Sequence, residues 1–199
     1  MALGYTRAEW IDKITSFIVV NMLWVVFASF IVALPAATAG LFVTLMPWVR
    51  GKSSEPFRDF LGGMRQYWRK ATVIVLVDAG IGVLTVFNLT VLSSMEQITI
   101  PALFSRSIVL LVAVLVLLTN VYLWPLLVTI DLPLRKLIEL ALRLIFLHPV
   151  WSLFVGMLTL IPLLLTLVLP RFVAIIFPFS ASALLASWGV QHVMEQHQS

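Results

Sequence analysis

Residues 105–130 read SRSIVLLVAVLVLLTNVYLWPLLVTI, and from Ser107 to Ile130 no side chain carries a charge. A helix needs about 20 such residues to cross a ~30 Å hydrocarbon core, so this stretch predicts a transmembrane helix. Comparable apolar runs lie on both sides of it, at 14–34, 36–49 and 71–95 before it and at 149–169 and 171–190 after it. The whole chain has the same character. Of its 199 residues 61% are hydrophobic and 11% charged, with a mean hydropathy of +1.08. An ordinary soluble domain carries about 25% charged residues. Too few polar side chains remain to cover a surface in water.

The expected fold class is therefore all-α: a polytopic transmembrane helix bundle of about six spans, forming one integral membrane domain over residues 1–199. The run 36–49 is the weak span. As a helix it rises only about 21 Å, so it is expected to be short or re-entrant.

Two connecting segments are amphipathic. In 56–70, Phe57, Phe60, Leu61, Met64 and Trp68 share one helical face, and Arg58, Asp59, Arg65, Gln66, Arg69 and Lys70 share the other. Gly62-Gly63 weakens this helix by about 2 kcal/mol relative to alanines. In 132–148, Arg135, Lys136, Glu139 and Arg143 form a charged stripe, with Glu139 in i±4 reach of both Arg135 and Arg143. Asp131 is the expected N-cap of this second helix and Pro133 lies in its first turn. Both are read as interfacial helices on the cytoplasmic side.

Orientation follows from the basic residues. With six spans and the N-terminus inside, only Arg106 and Arg171 of the 13 Lys and Arg residues fall outside. That is a strong positive-inside bias. It predicts a multi-pass protein of a bacterial inner membrane with both termini cytoplasmic. The basic loops face the bilayer's anionic lipids, so the net charge of +4 does not point to nucleic acid.

The segments beginning Pro56-Phe57-Arg58 and Pro133-Leu134-Arg135 also resemble one another. A parallel internal repeat is one reading; a pattern shared by any two interfacial helices is the other.

Polar residues within the spans are the candidate site. Asp78 lies well inside the third span, where a lone carboxylate is costly unless paired or hydrated. Asn21, Asn88 and Asn120 are the intramembrane amides. With Asp78, Thr38 and Thr44 they either line a polar path or bond between helices. Trp10, Trp48, Trp68, Trp124, Trp151 and Trp188 read as an aromatic belt, and sugar stacking would need some of them to face a cavity.

The chain has no cysteine, which excludes disulfides and thiolate chemistry. His148 precedes a proline, and His192 and His197 are not spaced as metal ligands on one helical face. Neither a metal nor a cofactor is expected. No catalytic motif is present, so the chain is not expected to be an enzyme.

Leu34-Pro35-Ala36-Ala37-Thr38-Ala39-Gly40-Leu41, then Arg50-Gly51 and Phe57-Arg58-Asp59-Phe60, resemble the YesL-like family of bacterial integral membrane proteins. Tyr122-Leu123-Trp124-Pro125-Leu126-Leu127, Asp131-Leu132-Pro133-Leu134-Arg135 and His148-Pro149 are similar to its later blocks. The chain departs from the family pattern in an extra alanine after Pro35 and in Gly62-Gly63. The family has no established biochemical activity. Its members are often encoded beside carbohydrate ABC transporters and glycan-degrading enzymes, so the resemblance implies a role around sugar uptake.

The leading expectation is an accessory or partner of a carbohydrate transport system, with ABC transporter components as partners. Its docking or lipid-binding face would comprise Arg58, Arg65, Arg69, Lys70, Arg135, Lys136 and Arg143. The alternative is a small transporter or channel using Asp78 and the intramembrane asparagines. A membrane enzyme is the reading the residues support least, and no feature of the sequence sets the oligomeric state.

Overall fold

A computed structural model describes residues 7–93, 99–168 and 177–196, with side chains from Lys13 onward. The described residues form helices and no strand. In chain order these are α1 (Arg7–Ala28), a 3-10 turn (Ile31–Ala33), α2 (Leu34–Val49), α3 (Pro56–Ser93), α4 (Ile100–Thr129), α5 (Leu134–Leu147), α6 (Pro149–Leu165) and α7 (Pro178–Gln196). The end of the run 71–95, the junction near 169–171 and His197 lie outside the described residues, as do the side chains of Arg7 and Trp10.

The first two apolar runs divide at a different place from the one their sequence indicates. At Ala28 the helix stops, and Phe30 N–H bonds back to Phe27 O while Ala33 N–H bonds to Phe30 O, which makes the tight turn. Pro35 then sits in the first turn of α2, where its missing N–H leaves no bond unmade. The second run thereby gains Ile31 to Pro35 and becomes a 19-residue candidate span, Ile31–Val49. The first is left as the shorter apolar helix Lys13–Ala28. The expectation that 36–49 is the short member is corrected accordingly.

A second correction concerns 56–70. It is not a separate interfacial helix but the first part of α3, which runs unbroken for 38 residues. At about 1.5 Å per residue α3 is ~57 Å long, nearly twice a hydrocarbon core, so its charged N-terminal part projects beyond the apolar part. The glycine pair does not break it because only one member is free. A methyl group on Gly62 would meet nothing within 4 Å, whereas one on Gly63 would lie 2.8 Å from Val43 and 3.0 Å from the Gly40 Cα. Reciprocally, a methyl on Gly40 would lie 2.6 Å from the Phe60 carbonyl oxygen. Gly40 and Gly63 are the contact point of two helices packed backbone against backbone, the close approach that small residues permit between apolar helices. The reversal between α2 and α3 uses Gly51 at φ 69°, a left-handed position after the helix end.

The core lies between α2, the second half of α4, α5 and α7. Leu45, Phe60, Tyr122, Leu126, Leu127, Leu137, Val155 and Val190 are fully or almost fully buried. By contrast Leu76, Val83, Leu84, Val86 and Phe87 of α3, and Phe104 and Leu111 of α4, are exposed apolar side chains. Such a surface suits lipid and not water.

Between α5 and α6 the chain bends by 109° at His148. The bend is pinned: the Ser152 hydroxyl donates to His148 O (2.8 Å), so the buried Tyr122 hydroxyl is the donor in its 2.8 Å bond to Ser152. α5 buries Leu137, Ala141, Leu144 and Ile145 and exposes Arg135, Lys136, Glu139 and Arg143, as its pattern predicts. Pro133, not Asp131, occupies its N-cap position, and no side chain caps it.

Among the described residues, three helices can cross a membrane by length and composition, Ile31–Val49, Pro56–Ser93 and Ile100–Thr129, or four if the bent pair Leu134–Leu147 and Pro149–Leu165 counts as one span. The two segments that resemble each other in sequence begin alike, with Phe60 and Leu137 both fully buried. They then diverge, since α3 continues straight where α5 ends in the bend.

Gly63→Ala and Gly40→Ala should each lower stability by about 1–3 kcal/mol through overpacking. Gly62→Ala should be neutral or stabilise by about 0.5–1 kcal/mol, because alanine is the better helix residue. Thermal unfolding of the three variants in one detergent checks this; equal effects at Gly62 and Gly63 would contradict the crossing.

Candidate functional site

Asp78 on α3 faces α4, where Val116, Asn120 and Trp124 lie one helical turn apart on a single ridge. The Asn120 amide nitrogen donates to Asp78 Oδ1 (3.0 Å) and to Val116 O (3.1 Å). Its carbonyl oxygen accepts the Trp124 indole N–H (3.0 Å). The Trp124 ring stacks on Phe42 of α2, with centroids 6.0 Å apart and planes 9° from parallel. One chain of contacts thus joins α3, α4 and α2.

This chain forms one wall of a largely open cavity of about 420 Å³ to which all these helices, α1, α6 and α7 contribute. The same cavity is lined by Trp24 of α1, which stacks on Phe179 of α7 at 3.9 Å and donates to Thr38 Oγ1 (3.2 Å). A smaller cavity of about 290 Å³ lies on the other side of the same wall, towards α5. Asp78 and Asn120 line both cavities.

The structure brings together only part of the set named from sequence. Asp78, Asn120 and Thr38 share the central cavity. Asn21 is fully buried, and its side-chain oxygen accepts Ser180 N–H (2.9 Å) in the first turn of α7. It thus closes a helix end that would otherwise be unsatisfied. Asn88 lies further along α3, lines neither of these cavities, and its buried Oδ1 makes no hydrogen bond. Thr44 is buried and bonds back to Gly40 O.

Two tryptophans alter the belt reading. Trp124 is 8% exposed and belongs to the cavity wall. Trp24, which the sequence reading did not single out, lines the same cavity; its position deep within an apolar run, away from any span end, was the available signal. Elsewhere Trp48 donates to Ser54 Oγ and Trp151 to Gly189 O, while Trp68 and Trp188 are exposed. His192 packs on Trp151 and Trp188. Among the described residues no group of three or more His, Asp or Glu could hold a metal ion.

The two basic stretches, in α3 and α5, are brought together at Lys70. Lys70 Nζ donates to Leu132 O (3.0 Å) and lies 3.5 Å from the Asp131 carboxylate. This joins the charged part of α3 to the start of α5 and accounts for Asp131. Arg58 pairs with Glu55, Arg69 lies over the Trp68 ring at 5.2 Å, and Arg135 pairs with Glu139. Arg65, Lys136 and Arg143 are exposed.

Residues 17–89 match the model of a family described as a protein of unknown function, DUF624, which includes the YesL-like proteins. The match covers the Gly40–Gly63 crossing and Asp78 but stops before Asn120. Neither the curated proteins nor the solved structures contain a match.

Asn120→Leu should destabilise the protein by about 1–3 kcal/mol, since it strips partners from both Asp78 and Trp124. Asn21→Ala should cost about 1–2 kcal/mol by leaving the Ser180 N–H unpaired. Thermal unfolding in detergent reads both, and an unchanged midpoint for Asn120→Leu would mean that the three side chains do not act as a unit.

Proposed function

We propose, starting from the family domain at residues 17–89, that the chain is a YesL-like multi-pass protein of a bacterial inner membrane. Its role is that of an accessory or partner of a carbohydrate transport system, not of an enzyme. The observation that carries this reading is the Lys70 junction with Leu132 and Asp131. It ties two separate basic stretches into one end of the bundle, where Arg58, Arg65, Arg69, Arg135, Lys136 and Arg143 are exposed.

A charged, partly apolar face of this kind suits a groove on a partner protein, and equally suits anionic headgroups. The positive-inside bias supports assigning this end, and both termini, to the cytoplasm. A six-crossing arrangement then has α1, α6 and α7 cross as short spans beside α2, α3 and α4. α5 lies at the interface. Among the described residues Asp78 forms no ion pair, which supports a role other than catalysis.

The central cavity favours a second reading, a small transporter or channel whose path includes Asp78 and Asn120. Asn21 and Asn88 have no part in that path.

Purification from native membranes should recover a transporter component in stoichiometric amount, and Arg135→Glu with Arg143→Glu should reduce that recovery by about tenfold. Recovery of no such component, or recovery insensitive to charge reversal, rejects the accessory reading. In proteoliposomes the second reading requires that Asp78→Asn abolish flux; undiminished flux removes it.

A further inference from the structure

The central cavity has a one-sided chemistry that narrows what it can hold. Its volume of about 420 Å³ lies in the ~300–1,000 Å³ range of small-molecule sites. Its hydrogen-bond donors are already committed to the protein. Thr38 Oγ1 donates to Leu34 O, Thr159 Oγ1 to Gly156 O and Ser182 Oγ to Thr159 O. The Trp24 indole N–H is held by Thr38 and that of Trp124 by Asn120. The Asn120 amide nitrogen bonds Asp78 and Val116. What remains is apolar wall, the four rings of Trp24, Phe42, Trp124 and Phe179, and one carboxylate.

That carboxylate lacks a counter-charge. Among the described residues Asp78 forms no ion pair; its one partner is the neutral amide of Asn120, on Oδ1. Lys70, two turns earlier on α3, is engaged by Leu132 and Asp131.

Candidate ligands can be compared on this basis. A polyol such as a sugar would bring many hydroxyls to a wall with few free partners, leaving them unsatisfied. An anion would be repelled by Asp78. A neutral hydrocarbon would fill the volume but leave the second carboxyl oxygen of Asp78 without a partner. A cation with an apolar body meets every requirement: its charge pairs with the carboxylate, and aromatic rings attract it by cation–π contact.

We propose that the central cavity is a binding site for an organic ammonium ligand, its charge against Asp78 and its apolar body between the Trp24–Phe179 and Phe42–Trp124 ring pairs. The site concerns what the cavity holds, not whether the chain moves it, so it stands apart from both functional readings above. Asn120 fixes one carboxylate oxygen and leaves the other for the ligand. Trp124 is held in place by the same amide, so charge and ring are positioned together.

Benzyltrimethylammonium is a suitable probe, because its permanent charge is carried on a small apolar frame. Binding is measured by equilibrium dialysis with the full-length protein in lipid nanodiscs, empty nanodiscs giving the partition background. Wild type should bind saturably at about one equivalent. Asp78→Asn should weaken binding at least about tenfold, Asp78→Glu should retain most of it, and Trp124→Leu should weaken it about fivefold or more. The isosteric neutral probe neopentylbenzene should show no difference between wild type and Asp78→Asn. Absence of saturable binding to folded wild type overturns the proposal, whatever the variants do. Equal affinity in Asp78→Asn, or equal preference for the neutral probe, overturns it as well.

Discussion

At Gly40 and Gly63 two helices touch along their backbones, so closely that a single methyl on either glycine would overlap its neighbour. In an apolar surround there is little hydrophobic force to press helices together, and close packing of this kind replaces it. The crossing fixes the direction of α3, which is long and otherwise supported along only part of its length. Asp78 lies fifteen residues further on, about 22 Å along the same unbroken helix. Its register against Asn120 is therefore inherited from the glycine contact, and the wall between the two cavities depends on it.

From that starting point, many polar groups are satisfied locally, while Asn88 Oδ1, Thr129 Oγ1, Ser180 Oγ and Ser187 Oγ are buried without a hydrogen bond. Serine and threonine hydroxyls bond back to their own helix, as at Thr44, Thr72, Thr90, Ser107 and Thr119. Asn21 supplies the missing acceptor for the first turn of α7 across the bundle. Asn120 satisfies two neighbours at once. Against this thrift Asp78 stands out, since a carboxylate needs more than one neutral donor to be comfortable away from water. Its carboxyl lines the same cavity as the rings of Trp24, Phe42, Trp124 and Phe179, and the two features together define that cavity.

The basic end of the bundle follows a different logic. Its side chains remain exposed and its ion pairs are mostly local, such as Arg58 with Glu55 and Arg135 with Glu139, which contribute little to stability. Lys70 is the exception, because it bridges elements far apart in sequence, tying α3 to the segment that leads into α5. Arg50, bonded to Gln191 of α7, ties the final helix to the same end.

Apolar length is a property of consecutive residues, so the sequence by itself determined that the chain is helical and bilayer-bound. It also determined the amphipathic face of α5 and the presence of Asp78 within a span. The Trp24 position and the split roles of Gly62 and Gly63 left only faint traces, because a mid-span indole or a glycine reads the same whether or not a neighbour lies against it. The break at Ala28, the fusion of 56–70 with its span, and the 109° bend at His148 were decided by the tertiary structure. So was the separation of Asn21 and Asn88 from Asp78 and Asn120. Each depends on which helix stands opposite, and helical periodicity specifies a face without naming what that face will meet.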